Sequence, residues 1–362
     1  MERDYLANIP DVAKVRATIK LNGVTLDWLS FEVSSTNTHA ADTFRVEVPL
    51  YDQTVEDLQI LMDTETLELE IAVDDGNGTL VRIMYGLVDD TDIDMITGDV
   101  TFVGRDLTSL LMDKKALLYS VIAQLPASKI AEDMAVEHGL KADNITATTT
   151  PIGTYDGWQH VNLNVATSEW DLLCKLAQNE NFDVYIKDDS LYFQPKTTTK
   201  DYYKIDWNYA GKNDFEASNA LRLKVGRNHT IANDIRVVVR GHDILSGKSY
   251  SYTFSRQHTP QRGGKRAKKQ TYYITANGIS NTVAEAIGQN ALEHLSKHEK
   301  KLSATLMGDT VLTPRSIIKL TGVNHLYDQL YYPYSITRSM SFGESFVMDV
   351  MAKNHDVNSQ VV

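Results

Sequence analysis

Strict alternation of apolar and polar residues, broken at short intervals by turn signals, runs from Val15 to Arg105 and narrows the possible folds of this chain more than any other feature. Ala17-Thr18-Ile19-Lys20-Leu21, Leu29 to Val33, Thr43 to Val48, Leu67 to Val73, Leu80 to Val88 and Val100 to Val103 each read as a strand with one face to hide. Asn22-Gly23, Gly76-Asn77-Gly78 and Gly98-Asp99 supply the left-handed backbone that tight turns between strands need. Short strands at this spacing predict a small barrel or sandwich. Part of the pattern returns near the other end: Ile19 to Val24 reads IKLNGV and Ile318 to Val323 reads IKLTGV. Each is followed by a polar bend and an alternating strand, Thr43 to Val48 in one case and Ser345 to Val350 in the other. Two related β modules on one chain are implied, and a trimer of such a chain would present six similar units around one axis. Gly104-Arg105-Asp106 and Gly241-His242-Asp243 are also alike, but fall in a different order within the two halves.

Between the modules the period changes. From Leu125-Pro126-Ala127-Ser128 onward, Ile130, Met134 and Leu140 repeat at helical spacing, with Pro126 and Ser128 suited to the start and Gly139 to the stop. A second helix opens at Thr167-Ser168-Glu169-Trp170, puts Trp170, Leu173, Leu176 and Ala177 on one stripe, and ends at Asn179 to Asn181. Phe182 to Ile186, the turn Lys187-Asp188-Asp189-Ser190 and Leu191-Tyr192-Phe193 then read as a hairpin. After a polar stretch rich in Thr and Lys, strands are expected at Leu221 to Val225, Asp234 to Arg240, Ser249 to Phe254 and Tyr272 to Ile274. A long helix follows at 282–301, and then strands at Leu302 to Leu306, Ser316 to Leu320, Tyr331 to Arg338 and Ser345 to Met351.

Length and charge set outer bounds. With 362 residues, 42% of them hydrophobic, the chain suits two or three domains. No apolar run approaches the roughly 18 residues of a membrane span, and Met1-Glu2-Arg3-Asp4 lacks a secretory h-region, so folding in a cytosol without stable membrane insertion is expected. A single cysteine, Cys174, excludes an internal disulfide framework and reads as a small buried hydrophobe on the helix stripe. The net charge of -12 argues against a protein that coats DNA. Acidic residues crowd into the first half, as at Asp89-Asp90-Thr91-Asp92-Ile93-Asp94. Basic ones crowd into a loop from Arg256 to Lys269 that holds Arg262, Lys265, Arg266, Lys268 and Lys269.

The helix at Leu125 to Leu140, Ser168-Glu169-Trp170-Asp171-Leu172-Leu173 running into Asn181-Phe182-Asp183-Val184-Tyr185, and the hairpin ending Leu191-Tyr192-Phe193-Gln194-Pro195 together resemble the baseplate hub proteins of contractile phage tails. That family comprises the late-control protein D group, the Mu-like and T4-like hubs and the hub part of type VI secretion spikes. Leu312 to Gly322 resembles its second barrel, with Pro314-Arg315 where a Pro-Gly pair is usual. The resemblance implies a mainly β fold with α+β insertions, two β-barrel-like tube domains flanking a helix-hairpin domain: 1–119 the first barrel, 120–200 the helix and hairpin, 201–362 the second barrel with the helix near 282–301. It further implies a homotrimer closing a pseudo-hexameric ring, a symmetry adaptor in the virion. Tail tube or tube-initiator protein would lie above the ring and a separate central spike protein below, with tape measure protein and DNA passing through in transit.

Of the motifs that could carry chemistry, Asp90, Asp92 and Asp94 invite a calcium reading. Met95 and Thr101, however, occupy the positions where an EF-hand needs Gly and a bidentate Glu. On a strand the three carboxylates share one face, which favours a solvated or lumen-facing acidic stripe. His294 and His298 would share a helix face but lack a third zinc ligand and the Glu of the metalloprotease motif. Gly263-Gly264-Lys265-Arg266 lacks the spacing and hydroxyl of a phosphate-binding loop, so the basic loop is read as a contact to an acidic partner outside the lumen. Val46 and Phe346 are expected in the tube-domain core or at a subunit interface. No catalytic constellation, cofactor or metal site emerges. The competing reading is a carbohydrate-binding or cell-wall-degrading tail component, suggested by Tyr202-Tyr203, Tyr272-Tyr273 and Tyr331-Tyr332.

Overall fold

Each alternating run in the first hundred residues is a strand. A computed structural model describes residues 15–50, 65–116, 125–149, 168–180, 182–196, 201–208, 217–227, 235–243, 248–255, 270–275 and 300–354, with five positions between 285 and 292. The first module contains β1 (Arg16–Leu21), β2 (Val24–Leu26), β3 (Ser30–Thr36), β4 (Thr43–Pro49), β5 (Glu68–Asp74), β6 (Val81–Asp94) and β7 (Asp99–Asp106), followed by a short helix α1 (Thr108–Asp113). The middle of the chain holds α2 (Ala127–Glu137), β8 (Lys141–Ile145), α3 (Glu169–Glu180), β9 (Phe182–Lys187) and β10 (Ser190–Pro195). Then come β11 (Tyr202–Asn208), β12 (Ala217–Ser218), β13 (Ala220–Arg227), β14 (Ile235–Asp243), β15 (Lys248–Ser255), β16 (Gln270–Thr275), β17 (Lys300–Met307), β18 (Ile317–Thr321), β19 (Leu330–Ser341) and β20 (Val347–Lys353).

Local chemistry explains the helix ends. Gly139, at φ +69, closes α2 in the left-handed conformation, with His138 N–H donating to Met134 O at 3.2 Å and Leu140 N–H to Ala135 O at 2.8 Å. A reciprocal box opens α3: Asp171 N–H donates to Ser168 Oγ at 3.1 Å, and Ser168 N–H to Asp171 Oδ2 at 3.2 Å. The β9–β10 hairpin turns through Asp188 at φ +57.

Among the described residues, fourteen strands join in one sheet. Its centre is an antiparallel ladder between β3 and β19, from Ser335 opposite Thr36 to Ser341 opposite Ser30. On one side of this seam the order is β4, β7, β6, β5, β1, β2; on the other, β20, β17 and β13, with β18 and β11 joined through the start of β19. The strands beside the seam enter in different chain order on its two sides: β4 precedes β6 and β7, whereas β20 follows β13 and β17. The two segments beginning IKL lie on β1 and β18, whereas Gly104 to Asp106 belongs to β7 and Gly241 to Asp243 to β14 in another sheet, so that third likeness is not structural.

Four cores lie behind these strands. Ile19, Phe31, Val46, Ile71 and Phe102 fill the first barrel, joined by Phe346 from the second module. Leu302, Leu320, Tyr331 and Val350 fill the second. A third core takes Leu111 of α1, Ile130 and Met134 of α2, Leu173 and Cys174 of α3, and Phe193 of β10. The fourth belongs to a separate sheet, β15-β14-β16, lying within the span 201–362. Five elements carry weak patterns and escape sequence reading: β2, α1, β8, β11 and β12, with β11 inside the polar Thr- and Lys-rich stretch. The expected helix 282–301 is helical at 285, 288–289 and 291–292, but Lys300 and Lys301 already begin β17, which corrects its end. Arg262, Lys265, Arg266, Lys268 and Lys269, like His294 and His298, lie outside the described residues.

Candidate functional site

Register fixes one broad surface. The strands β6-β7-β4-β3-β19-β20-β17-β13 form an unbroken antiparallel run of eight, and one row across it reads Leu87, Arg105, Thr43, Ser34, Thr337, Asp349, Thr305, Arg222. The next row, Val88, Gly104, Phe44, Val33, Arg338, Met348, Leu306, points the other way, into the cores. Both modules therefore hide their apolar sides behind the same sheet and leave a shared, mostly polar face in front, whose Leu87 end packs against a third core. Hydroxyls dominate it: Ser34 Oγ and Thr337 Oγ1 lie 3.2 Å apart across the seam, and Thr305 donates to Asp349 Oδ1 at 2.5 Å. Two of its cations are held by carboxylates, Arg45 by Glu47 at 3.2 Å and Arg105 by Asp89 at 2.6 Å. Asp90 and Asp92 stand exposed on this face, opposite Val103 and Thr101. Asp94 instead caps the β6–β7 turn, accepting from Ile96 and Thr97 N–H, and these bonds hold its carboxyl below the usual range.

A second feature sits where three cores meet. The loop between β17 and β18 passes Gly308 beneath the Phe346 ring, where a Cβ would lie 2.2 Å from the ring carbon Cδ1. Asp309 accepts from Tyr203 Oη at 2.7 Å, its carbonyl accepts from the buried Arg338, and Thr310 donates from N and Oγ1 to the buried Asp75 of the first module. Arg315 then lays its guanidinium 3.5 Å above the centroid of the Tyr185 ring, which itself stacks on Tyr192 at 4.6 Å. Asp42 and Asp106 line the same cleft, and Asp42 Oδ1 accepts from Thr36 N–H at 2.8 Å. Burial raises both carboxyls, and repulsion from Asp42 helps push Asp106 up to about 8. The same burial lowers Arg315, whose enclosed Nε has no hydrogen-bond partner among the described residues. The cleft has room for about one water, so it is a joint between domains and not a substrate pocket. Sequence reading missed Asp42 and Asp106. The signal for Arg315 was its place after Pro314, where glycine was expected.

A third cluster joins the helices. Glu169, wholly buried at the start of α3, meets His138 Nε2 at 2.6 Å and Lys114 Nζ at 3.5 Å, and its N–H donates to Lys114 O. These residues terminate α2 and α1, so the cluster ties three helix ends together. Cys174 is buried and its thiol is pushed up by desolvation, in the direction opposite to an activated nucleophile. Val46 and Phe346 are both enclosed within the chain, at 0% and 1% exposure, which places them in the core and not at an interface. The paired tyrosines divide their roles. Tyr331 is buried, Tyr272 packs on the fourth core, and Tyr273 is exposed under Arg240 at 4.8 Å. Among the described residues no helix is long and apolar enough to cross a membrane.

Neither a protein-family model nor a curated protein matches the chain. Solved structures do. A tail protein from Neisseria meningitidis MC58 superposes over 94% of this chain and 96% of that one, with a TM-score of 0.65 and 14% identity. The 43 kDa tail protein of prophage MuSo2 from Shewanella oneidensis covers 93% of this chain and 97% of its own, with a TM-score of 0.62 and 14% identity. A chain of the Francisella PdpA-VgrG complex matches 94% of this chain, which spans 58% of that longer one, with a TM-score of 0.52 and 12% identity. Two of the three align end to end, both modules and the middle domain included, and the resemblance read from sequence holds at the level of fold. This chain has the fold shared by these phage tail proteins and by part of the Francisella PdpA-VgrG complex.

Proposed function

We propose that this protein is a structural, non-enzymatic component of a contractile tail: a baseplate hub of which three copies close a ring between tail tube and central spike. The observation that carries this reading is the run of eight antiparallel strands with a polar face in front and two cores behind. Because eight is even, β6 and β13 at its two edges run in opposite directions, so the edge of one copy meets the next copy antiparallel. Such a head-to-tail contact generates a closed ring when the rotation between copies closes. Three copies supply roughly 24 strands, and at the usual strand spacing the wall would be about 40 Å across, wider than barrels that already hold an aqueous channel. The polar face lines that channel, through which tape measure protein and DNA pass. The loop bearing Arg262, Lys265, Arg266, Lys268 and Lys269 contacts an acidic partner outside it. In this reading the protein resides in the virion and needs no cofactor. Light scattering and negative-stain microscopy of purified protein test it. A three-fold ring with a central channel is expected; a stable monomer at micromolar concentration, or cleavage of cell wall by the pure protein, would overturn it.

A further inference from the structure

We infer that the ring is sealed by charge-matched sheet edges: β6 of one copy, carrying Asp90 and Asp92, pairs with β13 of the next, carrying Arg222 and Lys224. This rests on the ring reading and names its contact. The first half of β6 pairs with β5 from Val81 to Leu87, but the register shifts between Val88 and Asp90. From Asp89 to Asp94 the strand has only β7 beside it among the described residues. At the far edge β13 pairs with β17 alone among the described residues. Two open edges on one molecule invite pairing with another chain.

The side chains match on both faces. Asp90 and Asp92 share the polar face with Val103 and Thr101, while Arg222 and Lys224 share it with Thr305 and Ser303. All four charged residues are exposed, and none has an ion-pair partner among the described residues. Thr91 and Ile93 point to the other face, as do Leu223 and Val225, so antiparallel pairing sets the 45% exposed Ile93 against apolar neighbours. Slipping by one residue would set aspartates against leucine and valine, so the alternation itself restricts the register. Opposite charges across such a pair favour the right neighbour and suppress wrong ones.

Charge exchange tests the contact. Asp90→Lys with Asp92→Lys, and Arg222→Glu with Lys224→Glu, are measured separately and together by sedimentation at about 50 mM and about 500 mM salt. Each pair alone should weaken assembly about tenfold or more at low salt while circular dichroism and Tm stay unchanged, and the four changes together should restore it. Asp92→Cys with Arg222→Cys, the directly opposed pair when Asp90 meets Lys224, should link up to three copies under oxidation, since the chain's one native cysteine, Cys174, is buried. Single reversals that assemble as well as wild type, or a ring in which the introduced cysteines never link, would overturn the edge pairing and leave the ring standing. A wild-type chain that is monomeric throughout would overturn both.

Discussion

A guanidinium enclosed where three cores meet needs negative charge nearby, and around Arg315 that charge comes from carboxyls that burial makes reluctant to ionise. Asp106 is pushed up to about 8 in the fold against an ordinary value of 3.8, so between those limits the folded chain binds a proton that the unfolded chain has released. Stability must then fall as pH rises through that window, and the loss is complete above about 8. Asp106→Asn removes the titration. Its Tm should be flatter from pH 5 to 9 than that of wild type and exceed it at pH 9, and equal slopes would refute the assignment. Arg315→Gly, which restores the glycine expected after Pro314, should lower stability by about 1–3 kcal/mol by removing both the ring contact and the buried cation. Arg315→Lys should recover only part of that loss, because a point charge on a flexible stem cannot lie flat on Tyr185. Chemical denaturation of the three proteins at one pH makes the comparison.

At the scale of elements, the β3–β19 ladder and Phe346 fuse two barrels that could otherwise move apart. Phe346 precedes β20 of the second module yet packs 6.2 Å from Phe31 in the first core. Phe346→Ala should therefore cost about 3–5 kcal/mol and reduce hydrogen-exchange protection in β1 and β5 as well as in β20. Loss confined to the second module would show that the barrels are not coupled this way. Strands such as β4, β5 and β20 were legible because each buries one face completely, which writes the period of two into the sequence. β8 has no fully buried residue and β11 has only Ile205, so neither shows that period. With six residues, α1 is too short to display a helical one. The two IKL segments fall on β1, beside β2 and β5, and on β18, beside β11 and β19, so the likeness in sequence is not a likeness of place in the sheet. The strand order across the seam stayed hidden because pairing there is decided by three-dimensional neighbours that no local pattern records. For the same reason nothing in the sequence brought Asp42, Asp106 and Arg315 together.

For the whole molecule, the composition of the polar face bears on what can pass through a ring built from it. A channel for DNA should neither bind phosphate nor close on it, and phosphate binding comes from unneutralised Lys and Arg. Here Arg45 and Arg105 are tied to carboxylates, and Arg222 and Lys224 face Asp90 and Asp92 of the next copy in the proposed seal. What remains is hydroxyl from Ser34, Thr43, Thr305 and Thr337, together with Lys301 and Lys353 side by side at one end of the face, on a chain whose net charge is -12. The acidic stripe thus serves the wall more by cancelling the cations beside it than by repelling DNA outright. Glu32→Lys together with Asp349→Lys places free cations within the sheet, on exposed positions at least two strands from either edge of the run. The variant should fold with unchanged Tm and form the same ring as wild type, since neither side chain touches a core. It should, however, retain double-stranded DNA on a filter at low salt, which wild-type rings release, and lose that grip as salt rises. Rings that bind DNA no better than wild type would mean that this face does not line the channel.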